Sequence, residues 1–411
     1  MSQTLTLGRA ATVPVDRERA VITFISIELF ILIYLQRITL LPSSFPLMIP
    51  MLAMLGGLAW MVLTKQMTFS DPRRVVAYLF FVAFCLISQA FVGGSLPSLI
   101  QLCVLYACVL VTAPISREGY ETILRRFIAF MVLPAILIFA QYWYQKITGQ
   151  PNFISLNKVL PQSVLAQGYF YEAHYPWYAT FTRPNGFFLM EPSYASAFVA
   201  AALIVEITYF RRLYMIALML GALIFTLGAT GMSMLALAVP FLLLREKPVT
   251  IVLATSLLVI TLATCFITDT PIPVLSRTGE MKSESSSGSE RLLLPAKEFA
   301  ELIFDPSYLI MGEGSGSAVN KAPVNKDGTP KTNVTIPNPW PMVKILHEYG
   351  LLSMIAYTLL FMLVIAGNFN LPLKFALSIE FLFTGGYLVN PPFLGLMVFL
   401  FFAVSPIKAR R

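Results

Sequence analysis

Charge is scarce in this sequence: 12% of its 411 residues are Asp, Glu, Lys or Arg, about half the usual ~25% of a soluble domain. That excludes a solvated globular surface of the ordinary kind. Histidine is scarcer still, with His174 and His347 alone, so neither a histidine-rich metal centre nor an HExxH pair is available. The four cysteines, Cys85, Cys103, Cys108 and Cys265, fall in apolar stretches without metal-site spacing, and away from the polar loop where a disulfide would be expected. There is no Walker motif, no GxGxxG following a strand and no paired-aspartate metal motif. The first twenty residues lack an apolar h-region and a small-residue cleavage site, so residues 1–19 are expected to be an uncleaved cytoplasmic tail.

What is present is apolar surface. The hydrophobic share is 57%, the mean hydropathy is +0.74, and runs near the ~20 residues that cross a bilayer recur along the chain. A transmembrane barrel would instead show short alternating segments. The pattern predicts an all-α polytopic membrane protein of about 12 transmembrane helices. Spans one to nine fall near 20–36, 44–64, 75–92, 97–114, 127–144, 193–210, 213–228, 230–244 and 249–268. Spans ten to twelve fall near 350–367, 372–389 and 391–405, with a tail at 406–411.

Two polar insertions interrupt this series, residues 145–192 and residues 269–349. The second holds roughly half of the chain's 21 acidic residues. The net charge of +8 is what topology alone predicts, without a nucleic-acid partner. Of the 29 Lys and Arg, about 17 fall in alternate short connections, including Arg73, Arg74, Arg125, Arg126, Arg211 and Arg212. The short connections of the other side contain only Arg37. By the positive-inside rule both termini are cytoplasmic and both long loops are external. In the longer loop, residues 292–304 have helical apolar spacing. Two readings stand, a helix packed on the membrane surface and a cover over a substrate cleft. The segment that follows, up to Pro339, is rich in turn residues.

Residues 181–196, FTRPNGFFLMEPSYAS, place Arg183 and Glu191 where the chain re-enters the bilayer. A charge there must be paired or must face water. Either the two form an ion pair that fixes the loop, or Arg183 is a phosphate ligand, its guanidinium suited to bidentate bonding. Arg291 follows a Ser/Gly run at a helix start, which is either ordinary capping or an anion site. His347, immediately before span ten, is either an interfacial histidine beside Glu348 or a general base. His174, in the aromatic stretch YFYEAHYPWY, reads as a surface contact. Glu206 and Glu380 read as structural acids within spans. Asn333-Val334-Thr335 is a sequon of the kind common by chance, and the loop tyrosines and tryptophans suit either sugar stacking or an interfacial belt.

Four elements then occur in a recognisable order: RPNGFFLMEPS (183–193), SGSER (287–291), GEGSGS (312–317) and HEYGLLS (347–353). Together with about twelve spans and a large loop between the ninth and tenth, they resemble the bacterial O-antigen polymerases (Wzy) and O-antigen ligases over roughly residues 170–390. The resemblance implies a helical fold like that of the type C membrane glycosyltransferases. It also implies inverting, metal-independent transfer of a glycan from an undecaprenyl-diphosphate carrier at the outer face of the inner membrane, without a cofactor. Two arginines hold the diphosphate in that family, and they map onto Arg183 and Arg291. The ligases carry a loop His-Asn pair about nine positions before the E-x-G-L element. This chain reads IPNPWP (336–341) there, which leaves His347 or Glu191 to act on the acceptor hydroxyl, or a transfer that dispenses with a base, and favours a polymerase. The partners implied are lipid-linked repeat units, the growing glycan, the bilayer and a chain-length regulator. A ligase with another acceptor and a lipid or polysaccharide transporter are the rival expectations.

Overall fold

The computed structural model describes residues 14–40, 47–150, 154–166, 169, 171–172, 174–175, 178–226, 228–243, 294–304, 306–320, 340–366, 370–383 and 388–406. The expected ninth span, Arg291 with its SGSER element, Cys265, the sequon and the C-terminal tail lie outside them.

The described residues are mostly helical. In order they form α1 (Val15–Tyr34), α2 (Ile49–Leu63), β1 (Thr68–Phe69), α3 (Pro72–Val92), α4 (Leu96–Tyr106), β2 (Val111–Ile115) and α5 (Arg117–Thr148). The short strands β3 (His174–Tyr175) and β4 (Tyr178–Thr182) precede α6 (Pro192–Val205), α7 (Leu213–Thr226) and α8 (Ala229–Leu243). Next come α9 (Leu294–Phe304), α10 (Pro306–Met311), α11 (Ser317–Asn320), α12 (Pro341–Ile365), α13 (Leu371–Phe383), α14 (Pro391–Met397) and β5 (Val404–Pro406).

Among the described residues four helical stretches are long and apolar enough to cross a membrane: Pro72–Val92, Arg117–Thr148, Pro192–Phe210 and Pro341–Ile365. The last includes the break at Gly350, and the third continues α6 through a π-helical turn. Shorter apolar helices accompany them at Ile49–Leu63, Leu96–Leu110, Leu213–Thr226, Ala229–Leu243 and Pro391–Phe402. Large apolar side chains stay exposed on the flanks, among them Trp60, Phe80, Phe91 and Leu359. On a soluble protein so much exposed apolar surface would drive association; on a membrane protein it faces acyl chains. The expectation of an α-helical membrane architecture is therefore met at this level.

The helix ends follow local chemistry. Asp71 caps α3 by accepting from the Arg73 amide at 2.8 Å, with Pro72 in the first turn. Ser116 caps α5 by accepting from the Gly119 amide at 2.9 Å, and left-handed Gly149 ends that helix. At 32 residues, α5 is about 48 Å long and overshoots the expected span 127–144 at both ends. Its charged first turns, with Arg117, Glu118, Glu121, Arg125 and Arg126, had concealed the extra length.

The centre of the bundle is α6. Of its most apolar window 72% is buried, against 17% for α3. Ala195, Ala197, Ala200, Ala201 and Ala202 are all fully enclosed, and such small side chains let α5, α7 and α8 approach closely. The Ser196 hydroxyl accepts from the Gly231 amide of α8 at 3.0 Å. Glu206, read as a structural acid, takes a two-pronged ion pair from Arg212 with N–O distances of 2.9 and 2.7 Å. Glu380 of α13 accepts from Ser233 of α8 at 2.7 Å.

The connections sort into two ends. At one end Arg17 donates to the Gln66 carbonyl, Glu18 accepts from the Ser116 amide, and Arg74 donates to the Val364 and Phe402 carbonyls. There β1 pairs antiparallel with β2, and β2 pairs parallel with β5. At the other end the Thr39 amide donates to the Val164 carbonyl and the Ala166 amide to the Arg37 carbonyl, while Gly94 bridges Ser315. The described basic connections around Arg17, Lys65 to Arg74 and Arg117 thus meet in space, apart from the two polar insertions.

Candidate functional site

Two clusters contain the described candidates. The first is built around the turn that presents Arg183. Two glutamines one helical turn apart on α5 hold the strand-to-helix segment. Gln145 accepts from the Thr182 amide at 2.8 Å and from its hydroxyl at 3.1 Å, and donates to the Thr182 carbonyl at 3.0 Å. Gln141 accepts from the Asn185 and Gly186 amides at 3.0 and 2.9 Å, and donates to the Asn185 side chain at 3.1 Å. Arg183, half-buried, sits between these two anchored points, so its backbone is fixed before any ligand arrives.

The same turn is held from the segment just after α1. Arg37 is fully buried, donates to the Phe187 carbonyl at 3.2 Å and to the Asn157 side chain, and stacks 3.9 Å from the Tyr171 ring centroid. Gln36 accepts from the Met190 amide at 3.2 Å. Phe187 itself sits at φ +68, a left-handed conformation that costs a bulky residue free energy and persists only when its surroundings impose it. Burial pushes the Arg37 guanidinium down to about 10, with Tyr171 and Glu172 acting in the opposite direction, so it stays cationic at neutral pH.

Glu191 is the N-cap residue of α6 and is buried. Its carboxylate accepts from the Ser193 hydroxyl at 3.1 Å. Tyr169, Tyr171 and Tyr194 gather beside it, with ring centroids 6.2 and 6.4 Å apart along the series. Burial, and then the Glu191 charge, push the Tyr169 phenol up; burial pushes Tyr171 up to about 12, opposed by Arg37. Both phenols are therefore neutral hydroxyls at physiological pH. Asn390, the cap of α14, donates to the Tyr194 hydroxyl. A cation, an acid and several hydroxyls converge here, which is a surface suited to phosphate oxygens and sugar hydroxyls.

The second cluster holds His347. The residue lies inside α12, which starts at Pro341, and not in the loop ahead of the expected span at 350. Its side chain is buried. Nδ1 faces Glu298 Oε1 of α9 at 2.9 Å, and Nε2 faces Glu313 Oε2 at 3.1 Å. Both ring nitrogens are thus engaged by carboxylates. Acting as a base would require one carboxylate to release its nitrogen. The expected helix over 292–304 is present as α9. It packs through Phe299 and Leu302 on Trp340, the N-cap of α12, and on Val343 and Leu346 within that helix, so it rests on protein.

Beneath His347 three segments meet backbone to backbone. The Glu313 and Gly314 amides donate to the His347 and Glu348 carbonyls at 2.7 and 3.0 Å. The Ser95 amide donates to the Ser315 carbonyl at 2.7 Å, and the Ser315 hydroxyl lies 2.6 Å from Gln89 Oε1. Gly314 is at φ +93, where a Cβ would strike the Gly93 carbonyl. Gly350 is at φ +81 and breaks α12, where a Cβ would strike the Ile310 carbonyl at 2.5 Å. The GEGSGS and HEYGLLS elements are thus one interlocked unit, seated on the end of α3.

The two clusters rest on different helices. Arg183 and Glu191 belong to α1, α5 and α6, whereas His347 belongs to α12, α9 and α3; α13 packs on both α6 and α12. His174 lies exposed in β3. Among the described residues no group of three or more His, Cys, Asp and Glu is placed to hold a metal ion.

The residues missed from the sequence are the pins: Gln36, Arg37, Gln141, Gln145 and Asn390. The signal was available, since amides at i and i+4 within an apolar span imply buried partners. Gln141→Leu is expected to strand the Asn185 and Gly186 amides at about 1–3 kcal/mol each. A lowered melting temperature of the detergent-solubilised protein, greater than that of Gln89→Leu at the half-exposed junction, checks it.

Compared with known proteins, the chain matches no family model and no curated sequence, so the resemblance to O-antigen polymerases and ligases rests on the motifs themselves.

Proposed function

We propose that this protein is a polysaccharide polymerase of the Wzy type. It joins undecaprenyl-diphosphate-linked repeat units into exopolysaccharide, capsule or O antigen on the outer face of the bacterial inner membrane. The reading takes the chain as a multi-pass protein of about twelve spans on the type C glycosyltransferase plan. Both termini are cytoplasmic, and a large periplasmic loop, expected over 269–349, lies between spans nine and ten, its last residues forming the start of α12.

The observation that carries the reading is the union of two of its sequence elements. GEGSGS and HEYGLLS, some thirty residues apart, lock together through the Glu313 and Gly314 amides on the His347 and Glu348 carbonyls. Their order along the chain therefore has a structural reason beyond chance. A second support is the anchored RPNGFF turn, in which Arg183 is held between Gln145 and Gln141.

In the proposed reaction the acceptor hydroxyl oxygen bonds to the anomeric carbon of the donor glycan as the bond from that carbon to the diphosphate oxygen breaks. Configuration at the anomeric carbon inverts. The diphosphate leaves with the lipid, and Arg183 and Arg291 stabilise its growing charge in a low-dielectric cleft. The hydroxyl proton passes to Glu191 or His347. Glu191 has the simpler geometry, a carboxylate beside hydroxyl groups, while His347 must first part from Glu298 or Glu313. Either base would contribute about 10²–10⁴-fold, so the base is the residue whose alanine variant shows that loss. No metal or cofactor enters, and no nucleic acid is a partner. A chain-length regulator is the expected protein partner.

Loss of the protein from the cell separates this reading from its rivals. A missing polymerase leaves lipid-linked single repeats on the outer leaflet, a missing ligase leaves long unattached polymer, and a missing transporter leaves single repeats on the inner leaflet.

A further inference from the structure

The end of α3 remote from the glycine junction carries a feature that the glycan reading does not use. A groove of about 600 Å3 runs between α3 and α12. Its walls include Phe80 and Phe84 of α3 and Ile355 and Leu359 of α12, and two alanines, Ala77 and Ala356, leave the space that larger side chains would fill. Among the described residues Arg73 is the one charged residue lining it.

The two neighbouring arginines have different tasks. Arg74 is tied into the fold, donating to the Phe402 and Val364 carbonyls at 3.3 Å each. The exposed Arg73 guanidinium makes no hydrogen bond or ion pair with any described residue. The nearby Asp71 carboxylate is turned onto the helix's own Arg73 amide. Arg73 also stands in the first turn of α3, where the helix dipole favours an anion.

The helices run antiparallel here, since Arg74 meets the end of α12 while Gly93 and Gly94 meet Gly314 and Ser315 near its start. With 21 residues, α3 is about 31 Å long, the thickness of a bilayer's hydrocarbon core at ~30 Å. Arg73 therefore lies at headgroup level in the leaflet opposite the His347 cluster. From Pro72 to Phe84 the groove extends about 18 Å toward the membrane centre.

We infer that this groove is a binding site for an anionic glycerophospholipid, its phosphate held by Arg73 and one acyl chain laid between α3 and α12. A single charge at the mouth of an otherwise apolar channel matches a ligand with one anionic head and one long apolar tail. The guanidinium can bond a phosphate bidentately, and its charge favours a headgroup with net negative charge over a zwitterionic one, whose ammonium already neutralises the phosphate. The site lies in the other leaflet from the proposed glycan chemistry and rests only on α3 crossing the membrane.

The test uses the full chain purified in mild detergent and incubated with equal amounts of phosphatidylglycerol and phosphatidylethanolamine bearing identical acyl chains. Native mass spectrometry reads the retained lipid. Phosphatidylglycerol is expected to be retained preferentially, and Arg73→Gln to lower its ratio to phosphatidylethanolamine about fivefold, the worth of one basic residue at an anionic surface. Arg73→Lys is expected to keep part of the preference, since an ammonium supplies the charge without the fork, and Ala77→Phe, which fills the channel, to lower retention of both lipids. Equal retention of the two lipids by the unaltered protein would overturn the inference. So would an unchanged ratio in Arg73→Gln, or an equal fall in Arg117→Gln, whose arginine is exposed and pairs with Glu121.

Discussion

Arg183→Ala is expected to leave the chain at its normal level in the membrane and to cut glycan growth at least a hundredfold. The residue is half-buried, and its backbone is fixed on both sides by side chains of α5: Gln145 holds Thr182, and Gln141 holds Asn185 and Gly186. Removing the guanidinium leaves those bonds intact, so the fold should survive. What is lost is charge stabilisation of the leaving diphosphate, and a single preorganised donor of this kind is worth about 10²–10³ in turnover. Arg183→Lys should retain part of the activity, since an ammonium supplies the charge without the fork. The check is polymer length on a gel beside an immunoblot of the membrane fraction. Polymer of normal length from Arg183→Ala would remove this residue from the reaction.

Gly350→Val is expected to act on the fold instead. At φ +81 a β-branched residue is strained, and its Cβ would meet the Ile310 carbonyl at 2.5 Å. Strain and overpacking each cost about 1–3 kcal/mol, together a large part of the 5–15 kcal/mol that holds a typical protein folded. The junction joins α3, residues 310–317 and α12 through backbone contacts that no side-chain adjustment can relieve. Gly56→Ala is the control, because nothing lies within 4 Å of a Cβ there. The expected result is a large drop in melting temperature and membrane level for Gly350→Val, and almost none for Gly56→Ala. Equal melting temperatures would mean that the junction yields.

Much of the helical skeleton could be read from the residues, because apolar runs between turn residues and basic clusters mark it. Proline-led, Asp71-capped α3 begins near its expected position, and α9 was visible in the spacing of Leu294, Phe299 and Leu302. The start of α12 was hidden. Lys344, His347 and Glu348 made the segment look like solvated loop, yet the structure buries His347 by meeting both ring nitrogens with acids 34 and 49 residues away. The length of α5 was hidden in the same way, by charges that a helix end can carry into water.

The candidate site was legible as motifs and illegible as an assembly. Arg183 and Glu191 stood out because charge is costly where the chain re-enters an apolar run. The pins that hold their turn did not, because a glutamine's role depends on which backbone groups lie opposite. Arg37 was conspicuous as the lone basic residue in the short connections of its side, but only the fold assigns it to the Phe187 turn. The glycines of GEGSGS and HEYGLLS looked like separate loop signals until they were seen to interlock.

The central claim, glycan polymerisation from a lipid diphosphate, is tested most directly in a purified system. The protein alone is reconstituted into lipid vesicles with undecaprenyl-diphosphate-linked repeat units of its own pathway, in the presence of a metal chelator, and the glycans are sized. The account predicts a ladder of lipid-linked oligomers in steps of one repeat, together with released undecaprenyl diphosphate, and neither product from Arg183→Ala. Repeat units that cross the bilayer and remain single would contradict it.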